Sequence, residues 1–324
     1  MKVETLKLGI LGFGQFAEEA ILPAIRRSPF LELVAIQKRH LDQAKARAAQ
    51  YAIPFAYDSE EALLSNSEVE AVFVTSANNQ HLPQTKKAAQ HGKPVLCEKP
   101  MALTVGEAEE MIAVCKANGV PLMIAHMLRF SESVRQLKKM VTSGELGTVR
   151  FVRSDFSIDA SDSPRTWLAD PAVAGGGPVM DIGVHALDTI RFILGREVED
   201  VAAFLDRPLT STQIEQEAEI GLRFSDGILG VIQTSFRLPF QAFVELKGTR
   251  GTAIIMNYTQ NLGTAQFVFI DPDFTERRLL MPNGDFYRAE LEAFARAVQT
   301  GEPVPVPGEE GLKNQIVLDR VYGK

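Results

Sequence analysis

Six residues, Gly12-Phe13-Gly14-Gln15-Phe16-Ala17, have the types and spacing to hold a dinucleotide, in the form G-x-G-x-x-A. Gly12 permits a tight turn, Gly14 lets backbone approach a pyrophosphate, and Ala17 allows a helix to pack closely on the preceding strand. The first N–H groups of that helix would face the anion. Phe13, Gln15 and Phe16 complete the loop that would line the cofactor. A bare turn, with glycines ending a strand for steric reasons alone, is the alternative. The position after the first apolar run and at the start of the first helical pattern favours the ligand.

The residue ending the second strand of such a fold sorts NAD from NADP, because an acid there accepts from the ribose 2′-hydroxyl and repels a 2′-phosphate. Here the chain reads Ile36-Gln37-Lys38-Arg39, with no acid and two cations. Lys38 and Arg39 can pair with a phosphate, so the pattern points to NADP(H); a solvated basic strand end is the other reading. Two further stretches fall at expected strand ends, the edge that binds ligand in an open α/β sheet. They are Thr75-Ser76-Ala77-Asn78 with His81, and Glu98-Lys99-Pro100. The proline holds Lys99 out of helical backbone. Lys99 is then either a solvated charge or a positioned acid and electrostatic stabiliser.

Farther along, Gly175-Gly176-Gly177 leads into a helical pattern that carries Asp181, His185 and Asp188. Asp181 and His185 are four apart, a spacing that in an α-helix puts both on one face, with Asp188. A carboxylate so placed orients an imidazole, fixes its tautomer and raises its pKa. A structural histidine on a buried helix face is the competing reading.

Other chemistries find no support. The five histidines, at positions 40, 81, 91, 126 and 185, show no H-x-x-H or H-E-x-x-H spacing, and Cys97 and Cys115 are too few for a zinc site or a disulfide framework, so no metal is expected. There is no P-loop and no G-x-S-x-G elbow. Lys and Arg total 34 against 41 for Asp and Glu, a net charge of -7 that opposes broad attraction to nucleic acid or anionic membrane. No apolar run approaches the roughly 18 to 20 residues of a membrane span, and the N-terminal sequence reads as a strand, so the expected location is the cytoplasm.

The elements that must position these residues follow from periodicity. Short apolar runs at 6–11, 33–37, 69–75, 94–97 and 121–125, with a weaker one near Phe55, alternate with helical patterns at 16–27, 41–51, 82–91 and 105–118, as βαβ units around a parallel sheet require. Thr104 and Glu107 have capping-box spacing at the start of the last of these helices. After about residue 127 a helix at 133–143 precedes alternating strands at 149–156, 218–224, 228–236, 242–246, 253–256 and 266–270, one mostly antiparallel sheet. Helices at 179–194 and 290–300 can cover one face; the other would expose apolar side chains unless a second copy covered it, so a homodimer or homotetramer is expected. The fold class is α/β: a Rossmann domain over residues 1–127 and an α/β domain with a large open sheet over 128–324, whose last helix, 312–322, packs back on the first domain.

Together GFGQFA, TSANNQH, KPVLCEKPMALT, MLRF, GELG, WLADPAVAGGG and GGGPVMDIGVHALDTIRFILG resemble the glucose-fructose oxidoreductase and inositol dehydrogenase family, in order and spacing from Gly12 to Gly195. Within it the chain looks most like the 1,5-anhydro-D-fructose reductase type, on AGGG…D…VHALDTIRF, KGTRGTAII and EAFARAV. The resemblance implies that Lys99 lies beside nicotinamide and substrate, that Asp181 and His185 complete the site, and that Arg129, Arg165 and Trp167 contact cofactor or substrate. Many relatives carry an acid where this chain has Lys38. The expected reaction is hydride transfer between NADP(H) and a sugar, polyol or related carbonyl compound, with His185 as acid/base, Lys99 as proton relay and stabiliser, and Asp181 as orienter. His185 and Lys99 could exchange roles. An NADP-binding sensor and a glycoside-processing enzyme with transient nicotinamide redox are the rival classes.

Overall fold

The computed structural model describes residues 5–324; residues 1–4, where the first domain is expected to begin, lie outside the described residues. The chain divides into two compact units, one made of the residues up to Ala125 with Tyr287–Gln315, the other of His126–Phe286 with Ile316–Lys324.

In the first unit six strands form one parallel sheet: β1 (Leu6–Leu11), β2 (Leu31–Gln37), β3 (Phe55–Tyr57), β4 (Ala71–Val74), β5 (Val95–Cys97) and β6 (Leu122–Ile124). Their order is β3-β2-β1-β4-β5-β6, so the direction of winding reverses between β1 and β4. Helices α1 (Leu22–Arg27), α2 (Leu41–Tyr51), α3 (Glu60–Leu64), α4 (His81–Gln90) and α5 (Val105–Ala117) connect them. Burial on both faces explains why β4 is a run of four buried apolar residues rather than an alternating pattern. At the start of α5 the expected capping exchange is present: Glu107 N–H donates to Thr104 Oγ1 at 3.2 Å, and Leu103 N–H donates to the Glu107 carboxylate at 2.9 Å.

The first unit also takes in residues 287–315, which the sequence reading assigns to the second domain. The cause is local. Ile124 N–H donates to Val306 O at 2.9 Å and Met123 bridges Pro307, so this segment covers the otherwise open edge of β6. A Cβ on Gly308 or Gly311 would come within 2.8 Å of Ile112 or Met101, so glycine is what lets the chain lie this close.

The second unit is built on eight strands: β7 (Val149–Asp159), β8 (Val198–Leu205), β9 (Glu217–Phe224), β10 (Leu229–Ser235), β11 (Arg237–Gly248), β12 (Gly251–Met256), β13 (Thr264–Ile270) and β14 (Glu276–Pro282). They lie in the order β14-β13-β12-β11-β7-β10-β9-β8, antiparallel except for the parallel pair β7 and β10. The sequence reading finds six of the eight. β8 and β14 escape it because they are edge strands with no fully buried residue: β14 is almost wholly exposed, and in β8 apolar residues fall on the half-buried face (Val201, Ala203, Leu205) and on the exposed one (Ala202, Phe204) alike, so no apolar-polar alternation shows.

Helices α6 (Glu132–Thr142), α7 (Pro171–Ala174) and α8 (Val184–Leu194) complete the unit, and α8 packs on β7. The cross-strand register places Phe204, Leu229 and Leu280 on the same sheet face as Asp155. They are 81%, 53% and 75% exposed, so this face does present apolar side chains. Helices α9 (Phe286–Thr300) and α10 (Gly308–Val321) end the chain, and among the described residues no helix is long and apolar enough to cross a membrane.

Candidate functional site

In the first unit the predicted residues gather at the carboxyl ends of β1, β2, β4 and β5, around the point where the winding reverses. Gly12 has φ of +76°, and a Cβ there would meet Ser76 Cβ at 2.5 Å. The protein's own packing thus demands glycine at position 12. Gly14 differs: a Cβ would meet only Gly12 O, at 3.7 Å, and so would collide with nothing. No contact among the described residues requires glycine at 14, and the open space beside it is what a close-lying phosphate group needs. Phe13 and Gly12 donate their N–H groups to the Gln37 backbone O (2.9 Å) and Oε1 (3.1 Å), while Thr75 N–H donates to Leu11 O at 2.9 Å. The glycine turn is therefore held from both neighbouring strands.

After this turn the chain enters a π-turn over Ala17–Ile21 before α1. Such i→i+5 turns are rare and concentrate at functional sites. Of the loop side chains, Phe13 is buried against Tyr51, Phe16 stacks edge-on with Tyr287 at 5.8 Å, and Gln15 is exposed and donates to Glu19. Phe13 can offer a ligand only its backbone.

Lys38 is half-buried. Its ammonium donates to Phe13 O at 2.6 Å and lies 5.9 Å from the Phe13 ring centroid. Burial, and then the Arg47 guanidinium, lower its pKa below the usual lysine value. Arg39 beside it is exposed. Lys38 has three donors, and the bond to Phe13 O uses one. The cationic strand end is thus a pinned ammonium, an exposed guanidinium and, from α2, Arg47, which the sequence reading does not include. The residues present fit a dinucleotide.

Beyond β4, Thr75 Oγ1 donates to Gly12 O at 3.1 Å, Ser76 Oγ donates to Gln84, and Asn78 is buried at the start of a 3₁₀ turn. His81 is fully buried, with Nδ1 2.8 Å from Pro100 O and Nε2 3.1 Å from Ser76 O. Both ring nitrogens are occupied by carbonyls, so His81 is not a cofactor contact as expected but a strut between the Ser76 loop and the Glu98-Lys99-Pro100 segment. Lys99 follows β5 directly, is half-buried, and donates its backbone N–H to Glu98 Oε2 at 3.1 Å.

In the second unit the expected α-helix at 179–194 is interrupted: Val179–Gly183 is a second π-turn, and α8 begins only at Val184. The four-residue spacing of Asp181 and His185 therefore spans a change of helix type, and the single-face reading, which assumed one continuous α-helix, does not carry over. Asp181 is buried and accepts two bonds from the Arg165 guanidinium, at 3.0 and 2.8 Å. His185 is buried with its ring 5.9 Å from that of Phe156, and Trp167 is half-buried in the turn Thr166–Ala169. Asp188 accepts two bonds from Arg129, at 2.8 and 2.7 Å, with His126 Nδ1 3.8 Å away. Arg129, expected to contact cofactor or substrate, is buried and committed to Asp188, tying the segment before α6 to α8.

The sequence reading also misses Glu215, which is fully buried and accepts from Gly177 N–H at 2.9 Å and Val179 N–H at 3.1 Å. A lone acid between two turns carries no signal of this in the sequence.

His81 generates a pH prediction. Desolvation pushes its pKa down to about 4, against the carbonyl contacts, which favour the charged ring. Between about 4 and the ordinary value near 6.5 the unfolded chain binds a proton that the folded chain does not, so stability rises with pH across this window. The contribution, about 3 kcal/mol at its fullest, is present above the window and lost as the pH falls through it. The denaturant midpoint should drop between about pH 7 and 4.5, and His81→Gln should flatten that part of the curve. An unchanged slope in the variant contradicts the assignment.

Two family models match the chain: an oxidoreductase family with an NAD-binding Rossmann fold over residues 6–126, and the GFO/IDH/MocA C-terminal domain over residues 134–254. A D-xylose 1-dehydrogenase (NADP(+)) of Haloferax volcanii is 32% identical over 98% of this chain and 96% of its own. A 1,5-anhydro-D-fructose reductase of Ensifer adhaerens is 28% identical over 94% of this chain and 91% of its own. The crystal structure of an aldose-aldose oxidoreductase from Caulobacter crescentus, in complex with glycerol, superposes with a TM-score of 0.91 at 29% identity, covering 99% and 97% of the two chains. With the glycine turn at the winding reversal and the open sheet of the second unit, these matches establish that the chain belongs to the GFO/IDH/MocA family of oxidoreductases with an NAD(P)-binding Rossmann fold.

Proposed function

We propose that this oxidoreductase prefers NADP(H) and exchanges hydride with a carbon of a sugar, polyol or related ketone. The observation that carries the reading is the contrast between Gly12, which internal packing requires, and Gly14, which it does not, at the crevice where such sheets bind ligand. Support for NADP comes from the cations Lys38, Arg39 and Arg47 at the end of β2; burial and then the Arg47 charge lower the Lys38 pKa, and a 2′-phosphate beside them would offset that charge. The NADP(+) in the name of the Haloferax relative agrees with this, and the sugar-acting names of the relatives support the substrate class.

The site residues would hold the dinucleotide at the backbone of Gly14, in the turn that Gly12 and Phe13 fix through their bonds to Gln37, with Phe16, Thr75, Ser76 and Asn78 lining it and Lys38 and Arg39 at the phosphate. Bound nicotinamide supplies the hydride. Reduction of a ketone leaves negative charge on oxygen, which the Lys99 ammonium stabilises while His185 gives the proton. Asp181, fixed by Arg165, orients the reacting groups, and Trp167 lines the substrate. Exposed Phe204, Leu229 and Leu280, spread across the open sheet face, support assembly into a homo-oligomer through it. A light-scattering mass near the 35.6 kDa of one chain at micromolar concentration contradicts that part.

Two variants test the remainder. Exchanging Lys38 and Arg39 for Gln and Ser should weaken NADPH binding about tenfold or more while changing NADH binding little; equal effects on the two contradict the phosphate reading. His185→Ala should cut kcat by about 10²- to 10⁴-fold in steady-state reduction of a sugar-derived ketone. A loss below a few-fold removes His185 from proton transfer.

A further inference from the structure

Within the oxidoreductase reading above, we propose that Glu215 and Tyr322 form a latch that positions the triglycine loop and, through it, Asp181 and His185. The latch is a buried three-way junction on one carboxylate oxygen. Glu215 Oε1 accepts from Gly177 N–H at 2.9 Å, from Val179 N–H at 3.1 Å and from the Tyr322 hydroxyl at 2.8 Å. Its other oxygen, Oε2, is buried and accepts no hydrogen bond from the described residues. A carboxylate kept in this state carries a desolvation cost that folding alone does not require, since an apolar residue of similar size would avoid it. Burial accordingly raises the Glu215 pKa.

What the junction holds is the entry to the second π-turn. Gly177 precedes the turn and Val179 opens it, so Glu215 satisfies two N–H groups that a helix start leaves without partners. Asp181 lies two residues beyond Val179, and His185 follows in the first turn of α8. The loop has no freedom to drift. A Cβ on Gly176 would meet Tyr322 Oη at 2.1 Å, and one on Gly177 would meet Glu215 O at 2.0 Å. Gly175 closes α7 in left-handed backbone, with φ of +81°. The three glycines thus serve close approach to the latch, on top of any approach to a ligand.

Tyr322 belongs to the last three residues of the chain, just past the end of α10. Burial and the adjacent Glu215 carboxylate hold its phenol well above the usual value, so it stays a hydroxyl donor across the working pH range. The segment just past α10 therefore acts as a positioning device for the π-turn, and Glu215 and Tyr322 are positioning residues rather than catalytic ones.

Four forms of the full-length protein test this: wild type, Glu215→Ala, Glu215→Gln and Tyr322→Phe. Amide hydrogen exchange is followed over residues 175–185, with kcat on a ketone the wild type reduces and the NADPH dissociation constant from fluorescence. Glu215→Ala should speed exchange of the 175–185 segment about tenfold or more and lower kcat by a similar factor, with NADPH binding within about twofold. Glu215→Gln keeps the Oε1 acceptor and should restore both to within about threefold of wild type. Tyr322→Phe, which removes one hydroxyl and leaves the ring, should fall between, and it decides the case if Glu215→Ala does not fold. Unchanged exchange in Tyr322→Phe and Glu215→Ala overturns the latch, as does Glu215→Gln behaving like Glu215→Ala. A wild type that binds NADPH but reduces no sugar-derived ketone overturns the function reading instead, and the exchange data then decide the latch by themselves.

Discussion

The approach of Gly12 to Ser76 is the constraint on which the first unit turns. At 2.5 Å, the distance from Ser76 Cβ to a Cβ at position 12 is far inside van der Waals contact, so only glycine lets β1 and β4 finish side by side and diverge into their loops. That divergence opens the crevice at which the sheet reverses its winding. The residues proposed to meet a dinucleotide are delivered mostly by strand ends: the turn itself, Lys38 and Arg39 after β2, Thr75 and Ser76 after β4, and Lys99 after β5, with Arg47 added from α2. Gln37 and His81 add no chemistry of their own, yet they lash these ends together through backbone carbonyls and amides.

In the second unit, buried charge plays the corresponding part. Asp181 and Asp188 each take an arginine in a two-bond grip, and each pair ties the long helical segment from Val179 to Leu194 to another stretch of chain. Such pairs add little net stability over apolar packing, but removal of one partner strands a buried charge, which makes them demanding about geometry. The π-turn between the triglycine loop and α8 is a rare choice of helix, and Glu215 takes the N–H groups at its entry.

Much of this was legible in the sequence. The parallel sheet was, because βαβ units carry long apolar runs and capping signals; the glycine fingerprint was, because steric demands at positions 12 and 17 select particular residues. Combined, the motifs from Gly12 to Gly195 named the family. Side-chain commitments were not legible. Arg129 looks like a ligand contact in a motif but is bound to Asp188, and His81 looks like a loop donor but is sealed beneath it. The Asp181 and His185 spacing misled for a different reason: periodicity arguments assume one helix type, and a π-turn of five residues shifts every later side chain around the axis. Glu215 and Tyr322 meet across 107 positions of sequence, a separation at which local pattern says nothing.

The proposed reaction moves hydride between the nicotinamide of NADP(H) and a carbohydrate carbon, with net turnover of the cofactor. Its most direct measurement uses NADPH carrying deuterium at the transferable position, a sugar-derived ketone, and mass spectrometry of the product alongside absorbance at the nicotinamide band. One deuterium is expected on the new carbinol carbon for each NADPH oxidised. Product that carries no deuterium, or product formed with no net oxidation of NADPH, contradicts it.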